Sequence, residues 1–317
     1  MKYNKTPLSI PDQVQRLKDR SLIIDDTIKA EHHLSNIGYY RLSAYWLPYE
    51  LPTTNGSKSR NHQFKPNTHF DEILDLYIFD RKLRLLVIEA IERIEVAVRT
   101  QWANALSLAT SNPHAYLDAG LFKDPWQHHK DISKIVRDIE ASHETFVTHY
   151  TSTYSEPFLP PIWAVVETLT LGALSRWYAS TKDNAARAKV SKALGMPTVE
   201  IMESVLHCLT LIRNICAHHA RLWNRKMTMQ LPNIKRLKNE IQTEGIADKK
   251  GNIQQQPRRE IYNYLIVMIS MMKTINPTTT WVNRLAELIK TTSVAQQNAM
   301  GFPNGWQSKP IWQGATT

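Results

Sequence analysis

The stretch RNICAHHARLWNR, residues 213–225, carries the side chains in this chain that are best suited to chemistry. Histidine exchanges protons near neutral pH, and arginine presents a planar fork of donors to phosphate oxygens. Asparagine can orient either of them. Arg213, Asn214 and His218 together fit phosphodiester cleavage in RNA, in which the ribose 2′-hydroxyl attacks its own phosphate. A histidine would move the proton, and an arginine would meet the developing negative charge without a metal.

A helix from residue 199 to about residue 223 is predicted to position these groups. At about 100° per residue, Arg213 falls between two faces, about 140° from His218. His219 falls on the core side and is interpreted as a structural histidine. The core stripe comprises Met202, Val205, Leu209, Ile212, Cys216, His219 and Trp223, and the polar arc comprises Glu203, His207, Asn214, His218, Arg221 and Arg225. Two small residues at the edge of the polar arc would let another backbone or an RNA strand approach: Thr210 and Ala217.

Two other kinds of site fit this helix poorly. Cys216 and His218 cannot face one metal ion on a regular helix, and no cluster of carboxylates or cysteines supplies further ligands. Nucleophilic catalysis needs an exposed thiolate, whereas Cys216 points into the core stripe. His128 and His129 diverge as sequence neighbours and lack the spacing typical of zinc ligands. No metal and no cofactor is predicted.

The charge balance indicates a polyanionic partner. Lysine and arginine number 39 against 29 aspartates and glutamates, a net charge of +10, which suits nucleic acid better than an acidic small molecule. A basic protein without such a partner remains the alternative. A long helix is predicted over residues 71–106, with Glu89/Arg93 and Glu95/Arg99 pairs typical of a solvated face. Three cations on that helix lack such downstream partners and are predicted to face phosphate: Arg81, Lys82 and Arg84.

The organisation of the chain predicts an all-α fold with an N-terminal helical extension, residues 1–65, and a larger helical domain, residues 66–317, that ends in a tail rich in Trp and Pro. Residues 52–68 are expected to form a polar loop, and residues 230–259 a loop-rich basic segment. Further helices are predicted over about residues 131–150, 163–178, 261–275 and 281–290, and Ser9 is predicted to cap the first helix. We expect the aromatic stretch GYYRLSAYW, residues 38–46, to form an apolar contact between a subdomain and its neighbour rather than a surface on which nucleobases stack. The N-terminus lacks a signal-peptide core, and no apolar run is long enough to span a bilayer. The two cysteines are too far apart on their helix for a disulfide, which fits a reducing compartment. We therefore expect a cytoplasmic protein.

Several blocks of the sequence resemble one known family. LTLIRNICAHHARLWNR is similar to the signature of the Abi-2 family, the AbiD/AbiF-like abortive-infection proteins of bacteria. The resemblance extends to LSNIGYYRLSAYWLPY, LYIFDRKLRLLVIEAIERIEVAVRTQ, PPIWAVVETLTLGALSRWY and MGFPNGWQSKPIW. Arg213 and His218 match the Arg-x4-His motif of HEPN-domain ribonucleases. The order of these blocks is far more specific than the short motif.

The resemblance implies a HEPN-type helical bundle and a phage-defence toxin that cleaves RNA. It implies a homodimer in which two Arg-x4-His motifs meet in one composite site, so that Arg213 need not reach His218 of its own chain. It also implies a structured small non-coding RNA as a partner that regulates the protein. Arg213, Asn214 and His218 would be the catalytic residues, with no membrane involved.

Two functions remain open at this point. The first is a metal-independent endoribonuclease controlled by a non-coding RNA. The second is a non-catalytic protein that holds a small non-coding RNA. The residues predicted to bind RNA serve either function: Arg81, Lys82, Arg84, His207, Arg221 and Arg225. Binding to RNA weakens steeply with salt in both cases, so affinity alone does not separate them.

Overall fold

The computed structural model describes residue 2 and residues 6–52, 61–248 and 251–313. The chain forms two compact units, Met1–Leu83 and Arg84–Thr317. Helices dominate each unit, and the described residues contain one short antiparallel pair of strands. The predicted all-α fold class is confirmed, while the HEPN-type arrangement and a domain boundary at residue 65 stay predictions.

The first unit begins with three short helices, α1 (Ile10–Asp19), α2 (Thr27–Ile37) and α3 (Tyr39–Trp46). The Ser9 hydroxyl accepts the backbone N–H of Asp12 at 3.3 Å, the N-cap predicted from the sequence. Gly38 has φ +87° and joins α2 directly to α3, a conformation that favours glycine. Of the predicted loop 52–68, residues 53–60 lie outside the described ranges.

The aromatic stretch of α3 divides between the core and the surface. Tyr45 and Trp46 are buried, and the Tyr45 hydroxyl donates to Asp80 at 2.6 Å within the same unit. Tyr40, in contrast, is 91% exposed. The stretch therefore builds the core of the first unit with some of its rings and leaves another in solvent.

The long predicted helix is α4 (Phe70–Thr110), 41 residues in length. Both predicted i,i+4 ion pairs form, Glu89–Arg93 at 3.4 Å and Glu95–Arg99 at 2.6 Å. Arg99 also donates to the backbone carbonyl of Leu169 at 2.7 Å.

The second unit contains more and shorter helices than the sequence predicts. The helix expected over residues 131–150 is two helices, and so is the one expected over residues 163–178, where Thr170 caps a new start by accepting the N–H of Ala173 at 3.3 Å. A further helix precedes residue 199. These helices are α5 (Pro125–Glu140), α6 (Thr145–Thr153), α7 (Ile162–Thr168), α8 (Leu171–Ser180), α9 (Asn184–Ala193) and α10 (Val199–Ala217).

The C-terminal part of this unit contains the strands. β1 (Thr243–Ala247) and β2 (Ile253–Pro257) pair antiparallel inside the segment expected to be loop-rich. α11 (Ile261–Ile275) is apolar on almost all sides and buried, and α12 (Trp281–Lys290) is amphipathic; both were expected, and α13 (Val294–Ala299) precedes the tail. Among the helices of the described ranges, none is both long enough and apolar enough to cross a membrane.

Candidate functional site

Helix α10 carries the first part of the candidate site and is held by a buried stripe. Thr198 caps its first turn, where the hydroxyl oxygen accepts the N–H of Ile201 at 3.2 Å. The helical residues predicted to form the core stripe are buried: Met202, Val205, Leu209, Ile212 and Cys216. The apolar period of the sequence therefore orients α10 correctly up to residue 217.

Helix α8 lies against one flank of α10. A Cβ atom added to Gly172 of α8 would come within 3.2 Å of the Thr210 methyl group of α10. The close approach that the small residue Thr210 permits is therefore used by a helix of the same chain. Gly172, in an otherwise apolar helical stretch, is the sequence signal for this contact, because an isolated glycine in a helix often has a packing reason.

Helix α9 is joined to α10 by an ion pair. Arg187 of α9 is buried and donates to the Glu203 carboxylate at 2.5 Å, and its guanidinium lies 5.1 Å from the centre of the Tyr178 ring. The Tyr178 hydroxyl is 2.7 Å from the Ser191 hydroxyl. Glu203, predicted to lie on the open polar arc, is instead a partner in this contact. No spacing in the sequence predicts it, because Arg187 and Glu203 lie on different helices.

The C-terminal end of α10 is a Schellman motif. The helix ends at Ala217 and His218 is its C-cap. The N–H of Ala220 donates to the Ile215 carbonyl at 2.9 Å, and the N–H of His219 donates to the Cys216 carbonyl at 3.0 Å. His219 has φ +55°, the left-handed conformation that glycine usually supplies at this position.

The helix end corrects the prediction for His219. The helix was predicted to continue to about residue 223, with His219 in the core stripe, but His219 is exposed. The helical period of 100° per residue does not apply here, because the left-handed conformation of His219 ends the helix. Positions beyond His219 therefore no longer follow that period. The chain re-enters the core with Leu222 and Trp223, whose indole N–H donates to the Gln296 carbonyl at 3.3 Å.

None of the three residues predicted to be catalytic is buried at this helix end. Arg213 is half-buried, and Asn214 and His218 are exposed. The backbone joins the last two, because the N–H of His218 donates to the Asn214 carbonyl at 3.0 Å. No hydrogen bond or ion pair connects the side chains of the three residues to another described residue. Their functional groups are therefore available to a ligand or to a second chain.

The cations predicted to bind RNA near the motif differ in exposure. His207 is exposed and lies two helical turns before Asn214. Arg221 and Arg225 are half-buried, and an Arg225 guanidinium N–H donates to the Arg221 carbonyl at 3.2 Å. These two arginines were predicted to lie on the polar arc of the helix. They instead follow the end of α10 and do not belong to a helical face.

The three predicted cations of α4 do not share one face. Arg81 and Lys82 are exposed. Arg84 is 5% exposed and follows the buried period of Val87 and Ile91. The prediction that Arg84 faces phosphate does not agree with this burial: the i,i+4 pairing rule used to single it out ignores which side of the helix packs.

The two cysteines are unsuited to catalysis. Both are buried and neither forms a disulfide, and burial raises the pKa of the Cys208 thiol to about 12. A buried protonated thiol is a poor nucleophile. Within the described ranges, no group of three or more His, Cys, Asp or Glu side chains is placed to hold a metal ion.

Comparison with known proteins identifies the family to which the chain belongs. The chain matches the family described as Abi-like protein over residues 32–224, a region that begins within α2, contains α3 to α10 and includes the whole stretch from Arg213 to His218. No curated protein and no solved structure matches it. Because the match covers well over half of the chain, the protein belongs to the Abi-like family. This membership suggests a role in phage defence by abortive infection.

Proposed function

We propose that this Abi-like protein is a metal-independent endoribonuclease of the HEPN type, with Arg213, Asn214 and His218 as its catalytic residues. The observation that carries the proposal is the state of these side chains at the end of α10. An arginine, an amide and an imidazole lie within six consecutive residues, have no side-chain partners among the described residues, and fall in the region that matches the family. All three groups can therefore donate hydrogen bonds to a phosphate.

The reaction follows from the chemistry of the three groups. His218 takes the proton of a ribose 2′-hydroxyl or gives a proton to the leaving 5′-oxygen. The 2′-oxygen attacks the adjacent phosphorus, and the bond to the 5′-oxygen breaks. Arg213 donates to the phosphate oxygens, whose negative charge grows in the transition state, and Asn214 positions the phosphate or the imidazole. The products are a 2′,3′-cyclic phosphate and a 5′-hydroxyl end.

A homodimer would complete the site. The Arg-x4-His motif itself supplies one imidazole, that of His218, whereas cleavage uses one group to accept a proton and another to donate it. Two copies that meet along α10 supply both. Leu211 and Ile215, which flank Arg213 and Asn214, are half-exposed apolar side chains and suit such an interface.

A structured non-coding RNA is proposed as the regulator of this activity. The net charge of +10 and the exposed cations Arg81 and Lys82 support contacts with an RNA larger than the cleaved phosphodiester. Neither residue has an ion pair with a described acidic residue. The alternative function, retention of an RNA without cleavage, draws on the same cations and would use the motif to hold the RNA.

Growth and cleavage test the proposal together. The wild type, His218→Ala and the control His149→Ala, which also removes an exposed histidine, are each expressed with and without the flanking genomic DNA. We expect growth arrest with the wild type and with His149→Ala, and none with His218→Ala. RNA recovered from arrested cells should carry 2′,3′-cyclic phosphate ends, and flanking DNA should relieve the arrest.

Three results would contradict the proposal. Equal toxicity of the wild type and His218→Ala would remove the catalytic role of the histidine. Cleavage of a purified substrate with deoxyribose at the cut position would exclude attack by the 2′-hydroxyl. If the wild type and His218→Ala are both harmless and retain the same RNA, the protein binds RNA without cleaving it.

A further inference from the structure

The first unit contains a cavity that the proposed catalytic residues do not use. Its volume is about 620 Å³, within the range of pockets that hold small ligands. Helices α1 and α3 supply most of the lining, and the residues that matter to its chemistry are Gln13, Arg16, Tyr39, Tyr40, Ser43 and Trp46. It is therefore a pocket of mixed character, with aromatic rings, an arginine and groups that form hydrogen bonds.

Aromatic rings dominate one side of this cavity. The Tyr39 and Trp46 rings contact edge to face, with centroids 4.9 Å apart. Tyr40 is 91% exposed, so its ring face is open to a planar ligand. An exposed tyrosine beside a cavity with aromatic walls is suited to stacking a nucleobase, and each stacked base contributes substantially to binding.

Two residues of the lining carry buried polar atoms without a hydrogen-bond partner in the described part of the chain. They are Oε1 of Gln13, an acceptor, and Nε1 of Trp46, a donor. The amide nitrogen of Gln13 is occupied, since it donates to the Leu8 carbonyl at 3.0 Å. Both atoms are closed off from water, and leaving them unpaired is costly, so a ligand that moves the lining side chains and bonds to these atoms would recover part of that cost.

Two arginines line the cavity, and they differ in their partners. Arg20 has structural partners, because its guanidinium pairs with Glu50 and lies near both the Trp46 and Phe64 rings, 5.5 and 4.8 Å from their centres. Arg16 is exposed and has no ion pair with a described residue. One free guanidinium beside an aromatic wall matches a phosphate attached to a base.

We propose that this cavity binds one unpaired nucleotide of an RNA strand. The base stacks on Tyr40 and takes hydrogen bonds from the polar lining, and Arg16 contacts its phosphate. The site is separate from the catalytic residues and depends on the proposed function only for RNA as the ligand. It gives the first unit a role in holding RNA that needs no cleavage.

Binding of a short RNA to the full chain tests this site. The probe is a 2′-O-methyl hexaribonucleotide with one 2-aminopurine, whose fluorescence falls on stacking and whose blocked 2′-oxygens prevent cleavage by the proposed route. We expect saturable quenching in the wild type and a loss of affinity of about ten-fold in Tyr40→Ala, whereas Tyr40→Phe stays within about two-fold. Arg16→Gln should weaken binding and lower the salt slope by about one.

Matched controls separate the cavity from general effects. Tyr154→Ala removes another exposed tyrosine, and Lys18→Gln removes a cation of α1 that bonds to Thr27 and does not line the cavity. Both should bind the probe as the wild type does. The inference is overturned if Tyr40→Ala binds normally, or if Tyr154→Ala loses as much affinity as Tyr40→Ala. It is also overturned if 2-aminopurine riboside monophosphate binds as tightly as the hexamer, which would make the occupant a free nucleotide.

The two proposals fail independently. A toxic His218→Ala variant contradicts the nuclease and leaves the binding result untouched. A Tyr40→Ala variant that binds normally contradicts the cavity proposal and leaves cleavage untouched.

Discussion

The N–H of Ala220 donates to the carbonyl of Ile215 at 2.9 Å, and this bond closes the helix that carries Arg213 and Asn214. Between the two residues the chain passes through His218 at the C-cap and through the left-handed His219. The imidazole of His218 is therefore presented from a helix end, where the backbone is held by two bonds of the cap. His219 thus occupies the left-handed position that glycine usually takes at the end of a helix.

The first prediction concerns the left-handed conformation of His219. His219→Gly should be more stable than His219→Ala by about 1 kcal/mol, because alanine has a Cβ that opposes φ +55° and glycine has none. Both variants lose the same imidazole, so the difference reports the backbone alone. Urea unfolding of the two proteins measures it.

The control for that difference is the same pair of changes at His207, an exposed position inside α10. There the order should reverse, with alanine more stable than glycine by about 1 kcal/mol, because α10 is right-handed at that point. If the alanine variant were more stable than the glycine variant at both positions, His219 would not adopt the left-handed conformation in solution.

The second prediction concerns the contact between α8 and α10. Gly172→Leu should destabilise the protein by about 1–3 kcal/mol, since a Cβ at Gly172 already meets the Thr210 methyl group at 3.2 Å. Thr210→Ala removes that methyl group and should recover part of the loss. Thermal unfolding of the two single variants and the double variant gives the coupling. Additive losses would mean that the two residues do not touch.

The third prediction is a dependence on pH at the pair Glu89–Arg284. The pKa of Glu89 lies below its ordinary value of 4.5, chiefly because Arg284 donates a hydrogen bond to it at 2.8 Å. A carboxyl with a depressed pKa adds stability above pH 4.5 and loses that contribution as the pH falls through its folded-state pKa. Both side chains are partly exposed, so Arg284→Gln should cost less than about 1 kcal/mol at pH 7.

Urea unfolding between pH 7 and about pH 3 measures that pair. The difference between Arg284→Gln and the wild type should shrink as the pH drops below 4.5. The exposed Lys192→Gln serves as a control for the loss of one positive charge. A difference that stays constant with pH, or that grows in acid, would contradict the role of Glu89.

The fourth prediction is the reactivity of the thiols. Cys208 and Cys216 are both buried, and the raised pKa of Cys208 keeps its thiol protonated. An aromatic disulfide reagent should react with neither cysteine in the folded protein and with both after unfolding in urea. Rapid reaction of one thiol in the native state would show that α10 opens, and it would return Cys216 to consideration as a nucleophile.

Periodicity along the sequence predicted the elements whose faces repeat without interruption. It placed α11 and α12 at their observed bounds and the buried stripe of α10 up to Cys216. It failed at breaks within apolar stretches. One example is the new helix start at Thr170, which depends on a cap and on the bond from Arg99 to Leu169, residues far apart in sequence. It also missed β1 and β2, whose residues alternate too weakly to predict a strand.

The sequence by itself determined the residue types of the candidate site, the basic charge and membership of the Abi-like family, because these depend on residue identity and order alone. Only the tertiary structure decided which of the residues are open. It buried Arg84, joined Glu203 to Arg187 and turned His219 outward. The physical reason is that exposure depends on what packs against each residue and on where the backbone leaves the helix, and both depend on hydrogen bonds and contacts between distant parts of the chain.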